Sequence, residues 1–366
     1  MADALRIGVT LPKTGRYAKN AGIVYDNTYQ LWANQVNARG GILNRPIELV
    51  IYDDGSEPER AAALYERLLF EDRVDLILGP CHSDMTEAIA PLVERERRVL
   101  LQGSGSSHLI FEQGREYVFL CWSGCDFDYP RSILEWSQTL PGGQHPRRAA
   151  LISLNGRIGS AVNLGAKHYA AKYGVPIVFE ETLGAPPADY AGAFARARAA
   201  NPDLMLVGLD HARPDDPLGS CVGAYQAAGF EGTIFWLSDN PSSHDPVELI
   251  DRAFMRTTWV PQSPLPTSQA FVRDFNAVYG RNPEYHHAGG YAVCQVLEQA
   301  VNAVGEIDHE ALRQHLLGGE FNTVMGRIRF KPDGLPDVTM QLSQWVGGEL
   351  RVVYPTTEAT GSPVLD

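Results

Sequence analysis

The chain has 366 residues, of which 44% are apolar and 20% charged, and its formal net charge is -13. A chain of this length exceeds one ordinary hydrophobic core, so the sequence predicts two domains. The acidic balance argues against nucleic acid or an anionic membrane as the main partner. No stretch approaches the ~18 uninterrupted apolar residues that a transmembrane helix requires.

Five cysteines are spread along the chain, and their odd number and wide spacing predict no disulfide framework. The spacing of Cys121 and Cys125 matches neither a redox CxxC motif nor a zinc knuckle. His309 and His315 are two residues too far apart for the histidine pair of a zinc-protease helix. The sequence therefore predicts no metal site and no cofactor.

The first part of the chain alternates short apolar runs with helical patterns. Strands are predicted at residues 5–11, 46–54, 76–78, 99–102 and 117–122. Helices are predicted at residues 25–38, 57–72 and 83–96, and Gly40 and Gly41 end the first of them as a glycine C-cap. Single helices between successive strands are typical of βαβ units and of a parallel sheet.

A second series of the same kind follows a candidate crossover at Ser123 and Gly124. Its strands are predicted at residues 148–153, 176–180, 203–208 and 233–237, and its helices at residues 132–140, 159–173, 190–200 and 219–228. A proline-rich stretch at residues 257–266 predicts a second crossover. Helices at 267–279, 288–305 and 309–317 follow it, and then β-strands at 327–330, 341–345 and 350–354. The pattern predicts an α/β protein with two similar halves.

Two loops that follow strands carry groups suited to an anion. After the strand at 76–78, Ser83 and Asp84 stand where a helix N-cap is expected. Backbone N–H groups and the positive end of the helix dipole favour a carboxylate there, and an ordinary βα loop with a structural cap is the alternative. The loop at 103–108 lacks the third glycine of a dinucleotide-binding fingerprint, because position 108 is histidine. A second hydroxyl-rich anion loop is the better account of it.

Several segments appear in a recognisable order along most of the chain: residues 14–17, 37–50 with Asp53 and Asp54, 74–80, 90–94 and 288–292. In these segments the chain resembles the branched-chain amino-acid-binding family of ABC-transporter substrate-binding proteins. The resemblance implies a type I periplasmic binding protein fold, with two Rossmann-like lobes whose parallel sheets are joined by a multi-strand hinge. It implies lobe 1 at residues 1–122 and 258–332, lobe 2 at 123–257, and a segment at 333–366 that returns across the hinge to lobe 2.

The same resemblance implies a ligand in the cleft between the lobes. The carboxylate-binding serine of the family falls on Ser83, and the second hydroxyl loop supplies Ser104 and Gly105 through the backbone and Ser106 as a donor. Caps of their own helices are the alternative roles for Ser83 and Ser106. The acid that faces the ligand ammonium falls on Asp239, in a stretch that is also a plain turn signal.

Three further positions are candidate ligand contacts. Asp210, in a loop beside His211, falls where family members often place an aromatic contact. Tyr17 is expected either to stack on an apolar ligand or to be an exposed loop aromatic. Arg157 is expected either to pair with a ligand carboxylate through both guanidinium nitrogens or to be a solvated surface residue.

The chain departs from the family at two places. Ile158 stands where the family commonly has a tyrosine, and Ser56 and His82 stand where it frequently has a first-lobe cysteine pair. The loss of that pair leaves room for a cytoplasmic amide or amino-acid sensor of the same fold that acts as a regulator. Ser83 lacks an aligned base, and the sequence contains no Gly-x-Ser-x-Gly elbow, HExxH motif or P-loop, so no enzyme is predicted.

The predicted function is the solute-binding component of an ABC importer. The ligand is a small amino acid or a related carboxylate, bound by hinge closure, and its identity is left open among aliphatic amino acids, amides and aromatic carboxylates. The expected partner is the ABC-transporter permease, and the chain is expected to be a monomer that does not bind nucleic acid. The expected location is the periplasm or a lipid-anchored extracytoplasmic position. No signal peptide is visible, although a trimmed chain with a start methionine would look the same.

Overall fold

The computed structural model describes residues 3–142, 144–184, 188–208, 218–236 and 251–365, without the side chains of Asn20 and of residues 218–220. The chain divides into two compact units. Unit 1 comprises Met1–Gly124 and Leu265–Val338, and unit 2 comprises Cys125–Pro264 and Thr339–Asp366. The chain thus passes between units after residues 124, 264 and 338, whereas the resemblance places these crossings after residues 122, 257 and 332.

The strands are β1 (Leu5–Leu11), β2 (Ile47–Asp53), β3 (Leu76–Leu78), β4 (Leu100–Gln102), β5 (Val118–Leu120), β6 (Ala149–Leu154), β7 (Ile177–Leu183), β8 (Leu204–Gly208), β9 (Thr233–Trp236), β10 (Phe254–Thr257), β11 (Phe321–Thr323), β12 (Gly326–Ile328), β13 (Gln341–Val346) and β14 (Glu349–Tyr354). The α-helices are α1 (Ile23–Ala38), α2 (Pro58–Phe70), α3 (Ser83–Arg95), α4 (His108–Phe111), α5 (Arg131–Ser137), α6 (Arg157–Lys172), α7 (Tyr190–Ala199), α8 (Leu218–Ala228), α9 (Pro266–Tyr279), α10 (Tyr285–Val304) and α11 (His309–Gly318).

Within its described residues, unit 1 has a five-stranded sheet in the order β2-β1-β3-β4-β5, and every pairing in it is parallel. Successive residues of its strands enter different cores. Leu78 and Leu101 pack with α1 and α10, whereas Ile77 and Leu100 pack with α2 and α3. A parallel sheet is buried on both faces, which explains the short continuous apolar runs in the sequence. Because every pairing is parallel, all strands of this sheet end at the same edge.

Unit 2 has a mixed sheet. Among the residues that the structure describes, the order is β14-β13-β10-β9-β8-β6-β7. The strands from β7 to β10 pair in parallel, and β13 and β14 add an antiparallel edge. Two apolar clusters cover the faces of this sheet as well. The predicted α/β class with parallel-strand sheets in two lobes is confirmed.

The helix starts differ from the sequence-based expectation by a few residues. Helix α6 begins at Arg157 instead of 159, and α10 begins at Tyr285 instead of 288. In the part of the chain that the structure describes, no helix is long and apolar enough to cross a membrane.

Candidate functional site

Three loops of unit 1 come together where the strands of its sheet end. They are residues 12–17 after β1, residues 79–82 after β3 and residues 103–107 after β4. Open α/β sheets bind ligands at this edge, because the loops and helix N-termini that follow parallel strands converge there. The structure therefore brings Tyr17, Ser83 and residues 104–106 to one edge of unit 1.

Ser83 begins helix α3 but does not cap it. The N-cap residue is His82, whose Nδ1 accepts the backbone N–H of Asp84 at 3.4 Å. This corrects the expectation that Ser83 and Asp84 occupy the cap. Ser83 is half-buried, and its hydroxyl makes no hydrogen bond within the described residues. Its hydroxyl is therefore available to a ligand.

Tyr17 is packed against the β3 loop and is only half-exposed. Its ring stacks on the ring of His82, with centroids 3.8 Å apart and an interplanar angle of 21°. Its hydroxyl donates to Oδ2 of Asp84 at 3.3 Å, and Nη2 of Arg16 lies 3.1 Å from the same oxygen. Asp84, a carboxylate in the first turn of α3, thus already has a cation and a hydroxyl beside it.

The two positions where the family frequently has a cysteine pair both contact Tyr17. Ser56 Oγ accepts the backbone N–H of Tyr17 at 3.1 Å and donates to the carbonyl oxygen of Thr14 at 2.9 Å. His82 supplies the stacked ring. Non-covalent contacts therefore fix Tyr17 at both positions.

The β4 loop is tied to the β3 loop by a thiol–hydroxyl contact. Cys81 Sγ lies 3.5 Å from Ser104 Oγ, and both side chains are buried. Burial raises the pKa of the Cys81 thiol to about 12, so the thiol stays neutral and unreactive. Gly105 has a φ of +73°, a conformation that favours glycine, and Ser106 is half-buried. With its side chain engaged by Cys81, Ser104 is left to contact a ligand through its backbone.

An aromatic cluster that the sequence did not predict lies beside the β4 loop. The rings of Trp122 and His286 stack with centroids 5.8 Å apart, and the Tyr285 ring lies 4.2 Å from that of His286. A Cβ at Gly289 would lie 2.1 Å from the Trp122 ring and 2.7 Å from the Gly103 carbonyl oxygen. Only glycine allows α10 to approach this closely. The glycine pair in the 288–292 segment was the available signal.

In unit 2, Arg157 is the first residue of α6 and is half-buried. It follows Gly156, which occupies the N-cap position with a φ of +152° and provides no side-chain cap. Asp210 and Asp239 lie outside the described residues, as does His211. Their assigned roles stay predictions.

The described residues contain no group of three or more His, Cys, Asp or Glu side chains that could hold a metal ion. Each of the five cysteines is a buried free thiol.

Each unit is thus an α/β layer with a largely parallel sheet, and unit 1 presents hydroxyls and a helix N-terminus at the edge where its strands end. This arrangement defines a class of small-molecule-binding proteins built from two such units. The family model described as periplasmic binding protein matches residues 4–349, and the chain belongs to this family. The predicted family membership is confirmed.

Curated relatives match most of the chain at low identity. An amino acid binding protein of Pseudomonas aeruginosa is 24% identical over 340 residues, which cover 91% of this chain and 87% of that protein. The leucine-, isoleucine-, valine-, threonine- and alanine-binding protein of the same organism is 20% identical over 351 residues, or 94% and 90% of the two chains. A Leu/Ile/Val/Thr-binding protein of Salmonella typhimurium is 24% identical over 63% of this chain and 60% of its own length.

Solved structures share the fold. An ABC transporter substrate-binding protein of Desulfitobacterium hafniense in complex with Leu has a TM-score of 0.80 at 20% identity, covering 96% of this chain and all of that one (100%). A solute-binding protein of R. palustris in complex with benzoate has a TM-score of 0.76 at 20% identity, covering 99% and 98%.

Proposed function

We propose that this chain is the solute-binding component of an ABC importer and that it binds a small amino acid or related carboxylate in a cleft between its two units, which close over the ligand. Family membership and the amino-acid-binding relatives support this proposal. The observation that carries it is that Ser83 and residues 104–106 follow two neighbouring parallel strands of unit 1, β3 and β4, whose loops meet through the contact of Cys81 with Ser104.

Each candidate ligand contact in unit 1 has a distinct role in this proposal. The Ser83 hydroxyl donates a hydrogen bond to the ligand carboxylate at the N-terminus of α3, where backbone N–H groups add to the attraction. Ser104 and Gly105 contribute backbone groups, and Ser106 contributes its hydroxyl. The stacked pair of Tyr17 and His82 offers a flat surface to the apolar part of the ligand.

The second unit completes the site in the proposal. Arg157 pairs with a carboxylate, Asp210 contacts the ligand from its loop, and Asp239 faces the ligand ammonium. The two liganded proteins named above hold Leu and benzoate. We therefore propose amino acids and aromatic carboxylates as the first compounds to test, with amides beside them.

The partner, the cellular location and the oligomeric state are part of the same proposal. The partner is an ABC-transporter permease, and the chain works outside the cytoplasm as a monomer, without nucleic acid. The curated relatives named above are named as binding proteins, so we do not favour the cytoplasmic sensor. We propose binding without catalysis, because the His82 ring stacks on Tyr17 and directs Nδ1 at the Asp84 backbone instead of activating Ser83.

A thermal-shift screen over amino acids, amides and aromatic carboxylates tests the ligand class. Calorimetry with the strongest binder then tests Ser83→Ala, which is expected to lower the affinity by roughly 1–3 kcal/mol because a buried ligand oxygen loses its partner.

Ser137→Ala is the matched control. The Ser137 hydroxyl donates to the Leu134 carbonyl oxygen at 2.7 Å inside α5, so this variant should lose stability and keep its affinity. Unchanged affinity of Ser83→Ala would contradict the assigned site. Binders that all lack an amine would remove the ammonium role of Asp239.

A further inference from the structure

Gln102, the last residue of β4, is a fully buried polar side chain that lies between two of the ligand loops. Its Nε2 donates to Oγ1 of Thr86. Oγ1 of Thr86 in turn donates to the carbonyl oxygen of His82 at 2.9 Å. The amide thus reaches the residue directly before Ser83 through one hydroxyl.

This relay fixes the orientation of the amide. The Thr86 hydroxyl has one proton, and that proton is used for His82, so Thr86 can only accept from Gln102. The nitrogen of the amide therefore faces Thr86, and Oε1 faces the other way, toward Gly79.

Two glycines make room for the amide, one in each loop. A Cβ at Gly79 would lie 1.8 Å from Oε1 of Gln102, and a Cβ at Gly105 would lie 2.1 Å from its Nε2. These distances are far below any van der Waals contact. The amide therefore sets the spacing between the loop that precedes Ser83 and the loop that contains Ser104 and Ser106.

Fold stability alone does not explain a glutamine here. Oε1 is buried and has no hydrogen-bond partner within the described part of the chain, and such an acceptor costs free energy. An apolar side chain of similar volume would avoid this cost. We infer that Gln102 is a positioning residue that holds the Ser83 loop and the Ser104–Ser106 loop in register for ligand binding.

This inference rests on the proposed function for its effect on affinity, but its effect on the loops is independent of any ligand. Gln102→Met keeps the volume of the side chain and removes both the unpaired acceptor and the link to Thr86. The unfolding midpoint in urea should stay the same or rise. Backbone amide exchange at residues 79–83 and 103–107 should become faster in the ligand-free protein.

With L-leucine and benzoate as probes, the affinity of Gln102→Met should fall by about tenfold or more. Mutation of a residue that orients a metal ligand lowers metal affinity by a similar factor. Thr86→Val cuts the relay at its other end and should lower the affinity in the same way. Both changes break the same relay. The affinity of the double variant for the probes should therefore be no lower than that of the single variant with the lower affinity.

Gln344→Met is the matched control in β13 of unit 2. The Gln344 side chain is also fully buried, and it donates to the carbonyl oxygens of Arg252 and Val364 and accepts the Val364 N–H at 2.7 Å. This variant should lose stability while its loop exchange and its affinity stay unchanged.

Loop exchange and affinity that both stay at wild-type values in Gln102→Met would overturn the inference. A parallel loss of stability and affinity in that variant would also overturn it, because the residue would then be merely structural. If the wild type binds no compound of the thermal-shift screen while loop exchange still accelerates in Gln102→Met, the proposed ligand class fails and the positioning role stands.

Discussion

The turn that starts α3 in unit 1 and the turn that starts α6 in unit 2 follow buried parallel strands, but different contacts hold them. In unit 1 the His82 ring caps the helix and the Gln102 amide fills the space beside Gly79. In unit 2 a Cβ at Gly159 would lie 1.8 Å from the Leu154 carbonyl oxygen, so backbone packs directly on backbone. Substitution of a neighbouring side chain can therefore adjust the first turn, whereas the second requires glycine.

Glycine substitutions give the largest expected effect and separate the two turns. Gly159→Ala and Gly79→Ala should each destabilise the protein by about 1–3 kcal/mol, the usual cost of overpacking. In the Gly79→Ala background, Gln102→Ala should restore part of the loss, because it removes the atom that the new methyl group meets. Leu154→Ala should restore nothing in Gly159→Ala, since the carbonyl oxygen remains. Urea unfolding monitored by circular dichroism measures the free energy of unfolding of each single and double variant.

Gly142→Ala is the control, because a Cβ there would meet no described atom within 4 Å. It should change the free energy of unfolding by no more than about 0.5 kcal/mol. If Gly79→Ala and Gln102→Ala were simply additive, the contact between the two would not determine the turn.

The opposite ends of the strands are also held differently in the two units, by an imidazole in unit 1 and by a carboxylate in unit 2. In unit 1 the His309 ring joins the starts of β3 and β4: its Nδ1 accepts the Val99 N–H and its Nε2 faces the Asp75 carbonyl oxygen, both at 3.2 Å. In unit 2 the Asp203 carboxylate accepts the N–H groups of Arg147 and Arg148 before β6. An imidazole that accepts an N–H loses that bond on protonation.

His309 should make the protein sensitive to mild acid. Burial, with Arg98 nearby, lowers its pKa from the usual 6.5 to about 4. Above pH 6.5 both the folded and unfolded states are neutral at this residue. Between pH 6.5 and 4 the unfolded chain takes up a proton that the folded chain does not, so stability falls as the pH falls, by at most about 3 kcal/mol.

Urea unfolding at pH 7 and pH 4.5 checks this expectation in the wild type and in His309→Gln, which can keep both hydrogen bonds without titrating. The variant should show the smaller drop. Equal drops in the two proteins would show that other groups cause the acid sensitivity.

Apart from α4, β10 and β11, which were not predicted, the order of strands and helices was predictable, because apolar runs that stop at glycine, followed by helical spacing, directly report buried strands and βα turns. The same logic located Ser83 and residues 104–106 after strands. It did not identify His82 as the cap, because the ring is oriented by Tyr17 from another loop. Trp122 and His286 meet only because of where α10 packs, and local pattern does not record such contacts.

The departure at Ser56 and His82 was visible in the sequence, but its meaning was not. Without the cysteine pair, the sequence left only an open question about the cellular compartment. The structure shows what the two residues do: Ser56 binds the Tyr17 backbone and His82 stacks on its ring. At these two positions the structure therefore shows contacts that hold Tyr17, whereas the sequence alone had raised only the question of an oxidising compartment.

The two helix starts also differ in charge, and the smallest predicted effect follows from this difference. The first turn of α3 contains Asp84, whereas the first turn of α6 contains Arg157 and, within the described residues, no acid. For a carboxylate ligand without an amine, such as benzoate, Asp84→Asn should raise the affinity about two- to fivefold. Arg157→Gln should lower it by a similar factor, because one charge near a helix N-terminus contributes about 0.3–1 kcal/mol.

Calorimetry at low and high salt measures both effects, which should shrink as salt screens the charges. Glu71→Gln is the control. It removes the same charge from an exposed residue at the C-terminal end of α2, and it should leave the affinity unchanged. Removal of the Asp84 charge also leaves the Arg16 guanidinium without its carboxylate partner, which strengthens the expected attraction for an anion. A loss of affinity in Asp84→Asn that is confined to ligands with an ammonium group would reverse the assignment, because Asp84 would then face the amine and Ser83 would lie at that end of the ligand.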